Sequence, residues 1–119
     1  MGSALVIDDS STERSIISDF CQKLGINVTT AISGEEALEK LSQAVPDVII
    51  LDIVLPGRSG FEICRELKDK DRTKSIPIIL CSTKATDMDK FWGKRQGADA
   101  YITKPIDQEE FNTVIKQFI

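Results

Sequence analysis

No histidine occurs anywhere in the 119 residues, and that one gap removes a large part of enzyme chemistry. Histidine-based metal sites and His-dependent triads are excluded, so any chemistry rests on carboxylates, hydroxyls and lysines. Cysteine is nearly as scarce. Cys21, Cys64 and Cys81 stand far apart in apolar contexts, and an odd count without metal-ligand spacing predicts buried, reduced thiols in a cytoplasmic protein. Positive charge is in deficit: a net charge of -4 argues against bulk attraction to nucleic acid, and no direct nucleic-acid contact is expected. No apolar run approaches the length needed to span a bilayer, and no N-terminal segment reads as a signal peptide, so no membrane association is expected. Repeats, low-complexity tracts and linkers are absent too. What is left is one domain over residues 1–119, with the composition of an ordinary globular protein and enough length for a core without staples.

Within it, apolar runs alternate with helical patterns. Ala4-Leu5-Val6-Ile7 predicts a first strand, followed by Asp8-Asp9. Ser10 with Glu13 reads as a capping box, opening a helix with Ile16, Ile17, Phe20 and Leu24 at helical spacing, closed by Gly25. Val28 to Ile32 is a shorter, more polar strand. Ser33 with Glu36 caps a second helix carrying Ala37, Leu38 and Leu41. Val48-Ile49-Ile50-Leu51 is the most apolar run of the chain, as a strand covered on both faces requires. After the Pro56-Gly57 turn, Phe61, Cys64 and Leu67 mark a third helix. Ile76 to Cys81 is a fourth strand with its proline at the entry. Thr86 with Asp89 opens a fourth helix that stops near Gly97, with Met88 and Phe91 expected to face the core. Ala100-Tyr101-Ile102 is a brief fifth strand. Asp107 with Glu110 caps a last helix whose Phe111, Val114, Ile115 and Phe118 share one face. Five alternations of strand and helix predict an α/β domain with a parallel sheet covered on both faces.

A carboxylate at the end of the most apolar strand is odd, because water holds the charge far better. Asp52 has company, however. Asp8 and Asp9 follow strand one, Ser82 follows strand four and Lys104 follows strand five. In a parallel sheet those ends lie on one edge, where ligands of open α/β sheets bind. Three carboxylates packed together repel unless a cation joins them, and oxygen ligands of high charge suit a hard ion such as magnesium. Lys104 and Ser82 would hold phosphoryl oxygens. The set is built to place a phosphoryl group on, or next to, a carboxylate. Singly, each residue has a plainer reading. Asp8 and Asp9 cap turns or helices, Asp52 starts the turn toward Pro56, Ser82 is a loop hydroxyl and Lys104 a solvated lysine. The joint placement carries the functional reading.

The stretches "LVIDDS", "DVIILDIVLPGRSGFEICRELK", "IPIILCSTK" and "GADAYITKP" closely resemble the receiver domain of two-component response regulators, the CheY-like family, nearly end to end. The spacing from Asp52 to Ser82 and Lys104 matches as well. The resemblance implies a flavodoxin-like (βα)5 doubly wound sheet of order 2-1-3-4-5, an order the family is known for. It implies that Asp52 accepts phosphate from a phosphohistidine on a sensor histidine kinase or histidine phosphotransfer protein. Asp9, Asp52 and the Val54 backbone carbonyl would ligate Mg²⁺ directly, with Asp8 acting largely through water. Ser82 would contact the phosphoryl group, Lys104 would pair with Asp52 or its phosphate, and Tyr101 would change rotamer with Ser82. The Lys104-Pro105 bond would be cis. Helix four, strand five and helix five, with Tyr101 and Trp92, would form the face for a downstream protein target. The stretch "STKATDMDKFWGKRQGADAYITKP" is similar to short regulators of type IV pilus motility or phototaxis.

Some positions stay open. Thr83 is a reserve for the role of Ser82. Val54 and Leu55 are apolar beside the acceptor and cannot orient a water, which predicts slow self-dephosphorylation. Lys84 is either a charge at the rim or a solvated lysine. Trp92 lies either exposed at the edge of the output face or partly buried under a loop. Lys90, Lys94 and Arg95 read as a solvated face, and Arg58 as a guide for a kinase or an ordinary surface arginine. A phosphorylation-independent pseudo-receiver is the main alternative to the switch. An aspartyl-nucleophile phosphatase of the haloacid dehalogenase type wants an acid where Val54 stands, and a flavin carrier would meet repulsion from Asp8-Asp9. The expected molecule is thus a signalling switch and not an enzyme with an outside substrate. With the chain stopping at Ile119, it reads as a stand-alone receiver, though one trimmed from a longer regulator would look the same.

Overall fold

The computed structural model describes residues 2–119. Five strands and five helices alternate: β1 (Ser3–Ile7), α1 (Ser11–Lys23), β2 (Asn27–Ala31), α2 (Gly34–Gln43), β3 (Val48–Leu51), α3 (Gly60–Asp69), β4 (Ile78–Ser82), α4 (Asp87–Arg95), β5 (Ala100–Thr103) and α5 (Gln108–Ile115). All pairings are parallel and the order is β2-β1-β3-β4-β5. The order expected from the family resemblance is the one found. Strand limits differ by a residue or two from the sequence reading. β4 begins at Ile78 because Pro77 has no N–H to give, and contributes only its carbonyl, to Ile49.

Period two splits the strand residues between two cores. Leu5, Ile7, Ile49, Leu51, Ile78 and Leu80 face α2 and α3, packing on Ala37, Leu41, Ile63, Cys64 and Leu67. Ala4, Val6, Val48, Ile50, Ile79, Cys81 and Ile102 face α1 and α5, packing on Ile17, Cys21, Phe111 and Ile115. Val114 and Phe118 join that second core as expected, and the Phe20 and Phe111 rings meet at 5.6 Å. All three cysteines are buried and free, and burial pushes the Cys21 and Cys81 thiols up to about 12 and Cys64 up to about 11. No helix among the described residues is long and apolar enough to cross a membrane.

Each helix starts where a side-chain oxygen accepts from the third backbone N–H: Ser10, Ser33, Ser59, Thr86 and Asp107. Only Thr86 and Asp89 close the full reciprocal box. The boxes expected at Ser10 and Ser33 are half-made, since the Ser10 N–H donates to Asp8 and the Glu36 carboxylate takes the Ile32 N–H instead.

α4 departs most from expectation. Met88 and Phe91, expected in the core, are exposed at 70% and 55%. The residue that faces the sheet is Gly93, the one buried position of the helix. A Cβ there would come within 2.8 Å of the Leu80 Cδ1, so a larger residue would make that side chain or the helix shift. Ile16 on α1 is also more exposed than its spacing implied, with Ile17 and Cys21 filling the core.

Candidate functional site

Register brings the acidic residues together before any side chain is considered. β1 pairs β3 with Ile7 opposite Leu51, so Asp8 and Asp52 leave the sheet side by side. β4 pairs β5 with Ser82 opposite Thr103, which delivers Lys104 to the same edge, its N–H bonded to the Ser82 carbonyl at 3.0 Å. A close approach fixes the far side of the site. The Gly60 N–H donates to the Ile53 carbonyl at 2.7 Å, and a Cβ on Gly60 would sit 2.1 Å from the Asp52 carbonyl oxygen. Only glycine allows the start of α3 to press on the loop that carries Asp52.

Asp8 is 1% exposed and both of its carboxylate oxygens are engaged. Oδ1 accepts from the Ser10 N–H at 2.9 Å and Oδ2 from the Lys104 ammonium at 2.6 Å. Asp52, 7% exposed, accepts the Val54 N–H at 3.2 Å on Oδ1 and Lys104 at 3.1 Å on Oδ2. Asp9 is exposed, and one carboxylate oxygen from each of Asp8, Asp9 and Asp52 lies within 4.8 Å of the others. The Arg14 guanidinium donates to the Asp8 backbone carbonyl at 2.8 Å and so clamps the loop from α1. That contact leaves no trace in hydropathy or spacing, and the sequence reading missed it.

Electrostatically the site is underneutralised. Three carboxylates face one ammonium, a formal excess of two negative charges. Burial holds the Asp52 carboxyl above its ordinary value, Lys104 pulls it down, and Asp8 pushes it up again. Burial pushes Lys104 down, but its hydrogen bond to Asp8 and the charges of Asp52 and Asp8 outweigh it, leaving the ammonium above its usual value. An all-oxygen donor set carrying two surplus negative charges fits a hard divalent cation, Mg²⁺ above all.

Ser82 is buried at the end of β4, and its Oγ accepts the Lys84 N–H at 3.2 Å. Thr83, the reserve candidate, is exposed. The Tyr101 hydroxyl donates to the Lys84 carbonyl, so the β4–α4 loop is held at one residue by both Ser82 and Tyr101. Burial pushes the Tyr101 phenol up to about 12. The Lys104-Pro105 peptide is cis. The Val54 side chain is 54% exposed at the mouth. Trp92 is half exposed and lines the α3 flank of α4 with Arg65 and Gln96, away from β5. Tyr101 instead lines the β5 flank with Lys90 and Lys94.

Known proteins share this fold. The family model described as "Response regulator receiver domain" matches residues 4–116. Protein PilH of Pseudomonas aeruginosa is 42% identical over 109 residues, covering 92% of this chain and 90% of that protein. Protein PilG of the same organism is 38% identical over 115 residues, covering 97% and 85%. The structure of chemotaxis protein CheY4 from Vibrio cholerae superposes with a TM-score of 0.93 at 33% identity, covering 100% of this chain and 99% of that one. The chain belongs to the response regulator receiver domain family.

Proposed function

We propose that the protein is a phosphorylation switch in which Asp52 accepts a phosphoryl group from a phosphohistidine of a sensor histidine kinase or phosphotransfer protein. The observation that carries this reading is the buried triangle of Asp8, Asp52 and Lys104 with Asp9 within ligand distance. Asp9, Asp52 and the Val54 carbonyl would hold Mg²⁺ directly. Asp8, whose two oxygens are taken by Ser10 and Lys104, would act through water. When bound there, the metal would supply positive charge to the phosphoryl oxygens.

An Asp52 carboxylate oxygen attacks phosphorus, forming a P–O bond as the P–N bond breaks, and the electron pair leaves on the imidazole nitrogen. Lys104 follows the new charge, already 3.1 Å from the attacking carboxylate. Ser82 turns its hydroxyl from accepting the Lys84 N–H to donating to a phosphoryl oxygen. Releasing that N–H frees the loop that Tyr101 also grips through the Lys84 carbonyl. α4, whose one buried residue is Gly93, is the helix that such a change moves at least cost. The output face is then α4, β5 and α5, and its occupant a downstream protein. The half-exposed Val54 offers no polar atom to position a water, which makes the acylphosphate long-lived. The resemblance of residues 82–105 to short regulators of type IV pilus motility or phototaxis supports a role in that kind of pathway.

Incubation with acetyl phosphate and Mg²⁺, read by intact mass, tests the assignment. The wild type is expected to gain one phosphoryl group and Asp52→Ala none. Equal uptake by both would refute the role of Asp52. No uptake by either would favour a pseudo-receiver that binds partners without phosphate.

A further inference from the structure

α4 has two flanks, and the switch accounts for only one of them. Helical spacing places Lys90 and Lys94 toward β5, where they border the groove that contains Tyr101. Trp92 and Arg95 turn the other way and, with Arg65, Asp69, Gln96 and Gly97, line a groove of about 350 Å³ between α3 and α4. The buried Gln96 is its floor: its carbonyl accepts from the Cys64 thiol at 3.6 Å and its side chain receives Arg65 at 3.5 Å. The C-terminal end of α4 is therefore linked to α3.

Two features of this groove bear on what it could hold. Beside it α4 exposes Met88, Phe91 and Trp92 at 70%, 55% and 50% on one helix face, and of these Trp92 lines the groove itself. Its cations are also unspent. Arg58, Lys68 and Lys70 each reach a carboxylate, whereas among the described residues neither Arg65 nor Arg95 does. Arg95 rests over the Phe91 ring at 5.9 Å instead. Asp69 at the far end is the single acid in the lining, so the positive charge is in excess.

We infer that the α3–α4 groove is a docking surface for an acidic segment of a partner protein, one that seats an aromatic or aliphatic anchor against Trp92 while its carboxylates pair with Arg65 and Arg95. Unpaired guanidiniums beside an exposed indole are the composition of interface anchors, and a carboxylate is the group whose fork matches them. The groove is open to solvent and at the small end of ligand-pocket volumes, so a free small molecule would leave too much of itself wet. A single side chain of a longer segment fits it. This surface is separate from the β5 flank and does not require Asp52 to be phosphorylated.

A displayed random-peptide library panned against the full unphosphorylated chain tests the inference, because Trp92 is the only tryptophan and reports on its own groove. Selected peptides are expected to be acidic with an apolar anchor. Their synthetic forms should shift Trp92 emission, and their binding should weaken with salt. The double variant Arg65→Glu/Arg95→Glu should weaken binding by roughly tenfold, as exchanging two exposed ion pairs for two repulsions requires. Lys90→Glu/Lys94→Glu should leave it unchanged. Circular dichroism and phosphoryl uptake from acetyl phosphate establish that each variant is folded. Peptides without net negative charge, an unmoved Trp92 emission, or loss of binding in the Lys90/Lys94 variant alone would overturn the proposal.

Discussion

The Lys104 ammonium lies 2.6 Å from the Asp8 carboxylate although the two are 96 residues apart in sequence. The same ammonium sits 3.1 Å from Asp52, so one cation stands between two buried acids. Removing it should cost more than a surface ion pair would. Lys104→Met leaves Asp8 and Asp52 facing each other without a counter-charge, and breaking a buried pair in this way costs about 3 kcal/mol or more. Thermal unfolding in a chelator should show that loss. Excess Mg²⁺ should recover a larger share of stability in Lys104→Met than it adds to the wild type, because a bound cation takes over the neutralisation. Equal gains in both would mean that the three carboxylates do not share a divalent ion.

Asp52 is expected to weaken the metal-free fold as it ionises. Burial raises its carboxyl above the ordinary 3.8, so the folded chain keeps a proton that the unfolded chain has released. Where the native state binds more protons, stability falls with rising pH. The loss begins near 3.8 and is complete once the pH exceeds the raised native value. Asp52→Asn abolishes this contribution. Melting temperatures measured in chelator from about pH 4 to about pH 7 should therefore diverge in favour of the variant, then run parallel. A stability difference between variant and wild type that does not shift in favour of the variant as the pH rises over this range would contradict the sign.

Gly60 controls where Asp52 points. An added Cβ would fall 2.1 Å from the Asp52 carbonyl oxygen and 2.7 Å from the Ile53 Cα, both backbone atoms that no rotamer can move. Gly60→Ala must shift the loop or the first turn of α3, at about 1–3 kcal/mol. The shift is passed to Asp52, so phosphoryl uptake should fall further than stability does. Intact-mass kinetics beside a denaturant melt would show whether the two losses separate.

Most of the site was legible because strand ends are legible. Continuous apolar runs mark β1, β3 and β4, and the residues just beyond them, Asp8, Asp52 and Ser82, inherit their position from the sheet. Lys104 follows from β5 in the same way. What stayed hidden was contact that hydropathy does not encode. Arg14 reaches the Asp8 carbonyl, and the Tyr101 hydroxyl reaches the Lys84 carbonyl, both through backbone acceptors that every residue owns. α4 was misread for a related reason. A search for large apolar residues assigns Met88 and Phe91 to the core, but the helix packs so near the sheet that its buried position has no side chain at all. Glycine carries almost no hydropathic weight, so closeness of approach, the very thing it permits, leaves no periodic signal.

That closeness makes Gly93 a handle on the switch. A Cβ at this position would lie 2.8 Å from the Leu80 Cδ1 and 3.3 Å from the Tyr101 Cδ2. Unless the Leu80 side chain gives way, Gly93→Ala must lift α4 or displace the Tyr101 ring. Either movement strains the bond from the Tyr101 hydroxyl to the Lys84 carbonyl and exposes the phenol. Tyr101 is the only tyrosine, so ultraviolet titration reads its ionisation directly. In the wild type burial raises it to about 12, and in Gly93→Ala the midpoint should move down toward the ordinary 10.0 while circular dichroism shows the fold intact. The stability cost should be about 1–3 kcal/mol, that of overpacking a tight contact. An unchanged midpoint with full loss of stability would place the strain in the β4 core instead, and would uncouple α4 from the residue that grips the β4–α4 loop.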